Sequence, residues 1–168
     1  MRKIILLFIL FGAGISLKAQ TTFTDPIAYN DYIIEQQLVV GEAIEAIFDF
    51  DLPDSALIWA TYDLSLVIVK QANANIKSLK PFEGDSTFIT AAIELFAYYE
   101  KTFINDYPEF ITFFLEDDPL ESETEEMNQR IEFLANWESE LDTVFTLAQE
   151  NFAKSHNFTL TTDEEEDY

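Results

Sequence analysis

"GDSTFITAAIELFAYYEKTFINDYP", residues 84–108, decides how the rest of the chain is read. Phe88, Ala92, Leu95, Phe96, Tyr99, Phe103 and Tyr107 return at three- and four-residue steps. Thr87, Thr90, Glu94, Lys101 and Asn105 occupy the opposite side. That period belongs to a helix with one buried stripe, because a half-buried strand alternates every second residue. Gly84 reaches backbone angles closed to other residues, and Asp85 offers an acceptor to the free N–H groups of the first turn. Pro108 lacks an N–H and clashes with the preceding turn, so it ends or kinks this helix. "EFITFFLED" (109–117) then reads as a short continuation at a new angle.

The approach to this helix, "PFEGDSTF" (81–88), has the proline, glycine and aspartate of a candidate ligand loop. A phosphate cradle wants several glycines and a lysine at a fixed offset. A calcium loop wants alternating oxygen ligands closed by a glutamate twelve residues on. Neither pattern is present, so the spacing predicts a corner between helices.

Three more helical segments flank it. In 25–48, Ile34, Leu38, Gly41, Ile44 and Phe48 form the expected inward stripe, with Asp31, Glu35, Glu42, Glu45 and Asp49 on another side. Asp25 followed by Pro26 is a start signal. In 55–79, Leu57, Thr61, Leu64, Ile68, Ala72, Asn75, Ile76 and Leu79 lie along one side. Its run "LSLVIV" (64–69) alone suits a strand, since β-branched residues favour sheets, but the long periodic context reads as helix. The last segment opens on Asp118, Pro119 and Glu121 as cap, first helical residue and capping acid. Met127, Ile131, Leu134, Leu141, Phe145, Ala148 and Phe152 point inward.

Short links make neighbouring helices antiparallel. The expected fold is therefore all-α: an up-down-up-down antiparallel four-helix bundle over residues 20–158. A first corner centred near residue 52 would place Lys70 near Asp31 or Glu35 and Lys77 near Asp25. Residues 159–168, ending in "TTDEEEDY" (161–168), read as an acidic flexible tail.

The start of the chain carries a different message. Arg2 and Lys3 precede an apolar run, Ile4 to Ile15, followed by "SLKAQ" (16–20). This pattern predicts a cleavable signal peptide, 1–19, cut between Ala19 and Gln20. The run is too short for a membrane-spanning helix, which needs about 20 apolar residues. The chain has no cysteine, so neither a lipidated cysteine nor a disulfide is available and packing alone must hold the exported fold.

Cleavage would remove Arg2, Lys3 and Lys18 from nine basic residues, leaving six against 32 acidic ones, a net charge of −26. Such a surface repels nucleic acid and anionic membrane surfaces. Solubility alone accounts for it; a basic partner or divalent cations would also suit it. The abundance of phenylalanine, 16 residues, argues for a packed core rather than acidic disorder.

"DPIAYNDYIIEQQ" (25–37), "PFEGDSTFITAAIELFAYYEKTF" (81–103) and "FAKSHNFTL" (152–160) resemble a family of exported bacterial proteins labelled surface proteins, whose biochemical role is unassigned. The resemblance spans most of the chain after residue 19 and implies export and a helical fold. Members of that family carry a basic residue after the phenylalanine of "GDSTF"; this chain has Ile89. The resemblance supplies no catalytic residues.

Catalytic and cofactor sites were sought residue by residue. A di-iron carboxylate site needs two Glu-x-x-His pairs, and this chain has one histidine, His156, with alanine at 153. Haem attachment and zinc sites draw on cysteine or histidine, so no metal or other cofactor is implied. No Gly-x-Ser-x-Gly elbow occurs. The pairs Glu42 with Glu45 and Glu138 with Asp142 read first as solvated faces. Glu138 nonetheless interrupts the inward stripe of the last helix between Leu134 and Leu141, opposite Tyr98 and Tyr99 by counting. A carboxylate there seeks hydroxyl partners, or leans out to water. The sharper expectation is a small polar ligand pocket of Glu138, Tyr99 and Asn75. Together these features imply a non-enzymatic interaction or structural protein of the cell envelope with a protein partner. The alternative is a binding protein for a cation or small molecule held by acids or in the bundle core.

Overall fold

The computed structural model describes residues 22–48, 54–116 and 118–160. The signal segment with its Ala19–Gln20 junction, and the tail from residue 161 onward, lie outside the described residues. Every regular element among the described residues is a helix: α1 (Pro26–Phe48), α2 (Ser55–Ser78), α3 (Thr87–Asn105), α4 (Tyr107–Phe114) and α5 (Glu121–Ser155).

The helix starts follow local chemistry. Asp25 Oδ1 accepts from the Ile27 N–H at 3.0 Å, and Asp54 accepts from Ala56 and Leu57 at 3.0 and 3.4 Å. Asp85 accepts from Thr87 at 2.9 Å, ahead of α3. The corner before α3 reverses through two left-handed residues, Glu83 (φ 49°) and Gly84 (φ 90°), and closes with the Asp85 N–H on the Phe82 carbonyl at 2.9 Å. Pro108 sits in the first turn of α4, where a missing N–H costs nothing.

The start of α5 differs from expectation. Leu120, not Asp118, is the capping position, and Glu123, not Glu121, accepts from its N–H at 2.9 Å. Leu120 is extended (φ −64°, ψ 148°), so helical geometry begins only after it. Leucine offers no acceptor, which leaves half of the reciprocal box.

α3 buries the stripe its sequence announces, with Phe88, Ala92, Leu95, Phe96, Tyr99 and Phe103 all in the core. α1 and α2 turn differently. On α1 the buried residues are Tyr29, Asn30, Ile33, Val40, Ala43 and Ile47, about one residue (100°) round from the expected stripe. Leu38 and Phe48 are exposed. The reason is the pair Gln36–Gln37, which interrupts the true stripe and bonds to α2 and α5. On α2, Leu57, Leu64 and Ile68 face solvent, while Tyr62, Ser65, Val69, Ala72, Asn73 and Ile76 are buried. Apolar residues surround this helix, so periodicity alone does not choose its face. Small Ser65 goes inside because its hydroxyl donates to the Ala43 carbonyl at 2.9 Å, where α1 and α2 meet.

Cross-helix bonds fix direction and register. The Asn75 amide donates to Gln36 at 2.8 Å, so α1 and α2 run antiparallel, with matching positions centred near residue 55. Lys70 is therefore level with about Val39, and Lys77 with about Tyr32. The expected pairings with Asp31, Glu35 and Asp25 fall a turn or more away. α3 and α5 are also antiparallel: the Tyr98 hydroxyl donates to the Leu134 carbonyl at 2.6 Å, and Phe88 packs on Phe145 and Phe152. Long amides bridge α1 to α5, Gln37 to Asp142 at 3.2 Å and Gln149 to Asn30 at 2.9 Å.

Two leucines on apolar-looking stripes should respond oppositely. Leu95→Ala, in the core, should cost about 2–5 kcal/mol in urea unfolding. Leu64→Ala, 68% exposed, should stay within about 0.5 kcal/mol. Equal losses would contradict the face assigned to α2.

Candidate functional site

Glu138 lies half-buried on α5 between Leu134 and Leu141. Burial, and then the neighbouring Asp142 carboxylate, hold its carboxyl above the ordinary range. It acts in turn on the phenols across from it. Tyr99 from α3 and Tyr107 from α4 are pushed well above the ordinary value of 10.0, first by burial and next by the Glu138 charge. Tyr107 reaches this cluster because the chain bends at Asp106, and its ring stacks on Phe103 at 4.2 Å. Gln37 of α1 lies beside the Tyr99 phenol and donates to Asp142 at 3.2 Å.

Of the three residues expected to line a polar pocket, the fold brings two together. Glu138 and Tyr99 share this cluster, whereas Asn75 bonds to Gln36 and accepts from Gln71 at 2.7 Å. Glu138 faces Tyr98 and Tyr99, as its place in the sequence predicts. Tyr107, Gln37 and Asp142 join them unannounced, because their approach depends on the bend before α4 and on the face α1 presents. His156 caps α5 and packs its ring on Phe152 and Phe82, at 4.5 and 5.0 Å. Among the described residues no group of three or more His, Cys, Asp or Glu is arranged to hold a metal ion.

A second polar feature fixes the bend. Arg130 of α5 donates through Nη2 and Nε to Asp106 at 2.6 and 3.1 Å, and through Nη1 to Glu109. Its charge is thus taken up by two carboxylates. Asp106 ends α3 and starts α4, so this clamp pins the α3–α4 bend to α5. Beside it a cleft of about 470 Å³ opens between α4 and α5, lined by Glu109, Phe113, Glu123, Glu126, Met127 and Arg130 among others.

The third feature lies outside the core. α3 and α5 leave two clefts along their solvent side, a discontinuous groove. One, about 280 Å³, is lined by Tyr98, Lys101, Asn105, Arg130, Phe133 and Leu134 among others. The other, about 430 Å³, is lined by Thr90, Ala91, Glu94, Val144 and Leu147 among others. On α5, Phe133, Trp137, Val144 and Leu147 are 62%, 51%, 50% and 53% exposed. Phe133 and Trp137 touch each other, with ring centroids 6.2 Å apart. Such large apolar side chains in one row on a highly charged helix require a reason. The sequence carries the signal as a second helical stripe beside the buried one, at 133, 137, 144 and 147, with steps of four, seven and three residues.

The titrating groups give two pH predictions. A carboxyl held above its ordinary value favours the fold when protonated, a contribution lost as pH climbs through that raised value. Glu138→Gln should therefore melt at higher temperature than the parent at pH 7, and the difference should vanish near pH 4. A lower Tm at pH 7 would mean the carboxylate is stabilising. Tyr29, whose hydroxyl donates to the Lys80 carbonyl at 3.1 Å, is pushed up to about 12 by burial and by Asp85. Its contribution is present below its ordinary value of 10.0 and lost as pH rises toward 12. Stability should fall over that window, less steeply in Tyr29→Phe.

Among the described residues no helix is long and apolar enough to cross a membrane. No protein-family model, no curated protein and no solved structure matches this chain.

Proposed function

We propose that this chain is an exported, non-enzymatic protein of the cell envelope, an up-down-up-down four-helix bundle that works by holding a protein partner. The basic and apolar start of the chain supports export, with cleavage after Ala19 and residence in the periplasm, at the surface or outside the cell. The bundle reading rests on the antiparallel registers of α1 with α2, α3 with α5 and α1 with α5. α4 is then an elbow within the third rod.

The observation that carries the interaction role is the outer α3/α5 groove. Aromatic side chains such as Trp137 and Phe133 supply large contact area at low entropic cost and dominate binding energies where they are buried on contact. The polar cluster at Glu138 supports a structural role instead, since its phenols are held above their ordinary values and its amides already have partners. A second reading, a small cation or molecule in the α4/α5 cleft, draws on the cleft's volume and its glutamates. A saturable rise in Tm with millimolar calcium would favour that second reading.

A photo-reactive phenylalanine analogue at position 137 should form one discrete covalent adduct in the native envelope. The same group at position 150, an exposed acid on the same helix, should not. Absence of any adduct at 137, or equal labelling at both positions, would remove the interaction role. The mature protein should begin at Gln20; an intact start would remove the export reading.

A further inference from the structure

The apolar groove has a counterpart on the same molecule. Leu57, Ala60, Leu64, Val67, Gln71 and Ala74 of α2 succeed each other at three-four-three-four-three spacing, and all six are exposed. Leu57, Leu64 and Val67 are 50%, 68% and 65% exposed, so large side chains lead this seam. On α5 the exposed row is Phe133, Trp137, Glu140, Val144, Leu147 and Asn151, at four-three-four-three-four spacing. At 1.5 Å per residue each row runs roughly 26 Å. These are the spacings with which helices interdigitate side by side.

Charge distinguishes the two faces. α5 carries nine acidic residues and two basic ones, Arg130 and Lys154, and Arg130 is already paired. α2 carries one acid, Asp63, against Lys70 and Lys77, and is the one described helix with a net positive charge. Both lysines are exposed. Two copies of so acidic a chain repel as wholes, so close approach is cheapest through α2. That helix faces least repulsion against the acidic α5.

We infer that the groove's partner is a second copy of this chain: the exposed row of α2 on one molecule seats in the α3/α5 groove of the next. This rests on the interaction reading above and names its partner. The contact joins two different surfaces, so a joined pair keeps one free row and one free groove, and assembly continues into open chains or a closed ring. A basic helical segment of another protein satisfies the groove's charge equally well but leaves the α2 row uncovered. A second copy covers both.

The test uses purified protein and two variants, Leu64→Glu in the α2 row and Trp137→Glu in the exposed α5 row that borders the groove. Circular dichroism verifies folding, and Leu64→Ser and Trp137→Ser stand in if either glutamate variant fails to fold. Light scattering should show the parent growing beyond one chain as concentration rises, and each variant remaining a monomer. An equimolar mixture of the two variants should give a one-to-one dimer and nothing larger, because one retains the groove and the other the row. Lys70→Glu should weaken parent assembly by about tenfold, the effect of ~1.4 kcal/mol.

A parent that stays monomeric at all concentrations overturns the inference. So does a Trp137→Glu variant that still dimerises alone, which would mean α2 pairs with α2. The crosslink at position 137 separates this failure from that of the interaction reading. An adduct of twice the chain mass supports the second copy. An adduct with another protein keeps the groove as a binding site and overturns the second copy, and no adduct overturns both.

Discussion

With no cysteine available, an acidic shell is held together here by aromatic packing. Phe152 of α5 is the hub: its ring meets Tyr29 of α1, Phe88 of α3, and His156 and Phe158 just past the end of its own helix. Phe82 from the corner closes the same cluster against Tyr29 and Phe152. α1 and α5 approach each other less closely than α1 and α2 or α3 and α5 do, and elsewhere amide side chains bridge them. The ring cluster is therefore the main apolar contact that joins α1 to α5. Carboxylates that repel across the surface are tolerated because this interior, non-directional and dry, does not depend on them.

How much of this could be read from residues alone depends on how cleanly each helix separates its faces. α3 has polar residues on one side and large apolar ones on the other; its expected stripe is buried from Phe88 to Phe103, while Tyr107 falls on α4 beyond the bend. α2 is apolar nearly all round, so three of its expected core positions, Leu57, Leu64 and Ile68, lie outside. The decision was made by groups that periodicity counts as errors: Ser65 bonds the α1 backbone, and buried Asn73 donates to Glu100. On α1 the two glutamines look like a gap in the stripe yet stand on it. The polar cluster was half legible for the same reason. Glu138 announces itself by interrupting leucines, but Tyr107 arrives only through the bend that Asp106 and Arg130 hold.

These inward polar groups have a common effect. Each ties one level of one helix to one level of another: Asn75 to Gln36, Gln37 to Asp142, Asn30 to Gln149, Tyr98 to Leu134. A purely apolar interface tolerates sliding by a turn, whereas displacement breaks these bonds, at greater cost for the part-buried pairs such as Tyr98–Leu134 and Gln149–Asn30 than for the exposed Gln37–Asp142 pair. Register is thus specified by residues that contribute little net stability. Glu138 is the one member whose charge opposes burial, and Asp142 beside it adds to that opposition.

The exposed apolar rows follow from the same division of labour. Soluble helices rarely place leucine, valine, phenylalanine and tryptophan on the water side at regular spacing, since each exposed group promotes unspecific sticking. Here the remaining surface is so strongly negative that unspecific encounters are repelled before apolar groups can meet. High charge and exposed apolar rows are then complementary features rather than contradictory ones. In the contact inferred above, the charge would screen out most partners and favour a surface of matched helical spacing whose own charge is neutral or positive. On this molecule α2 has both properties.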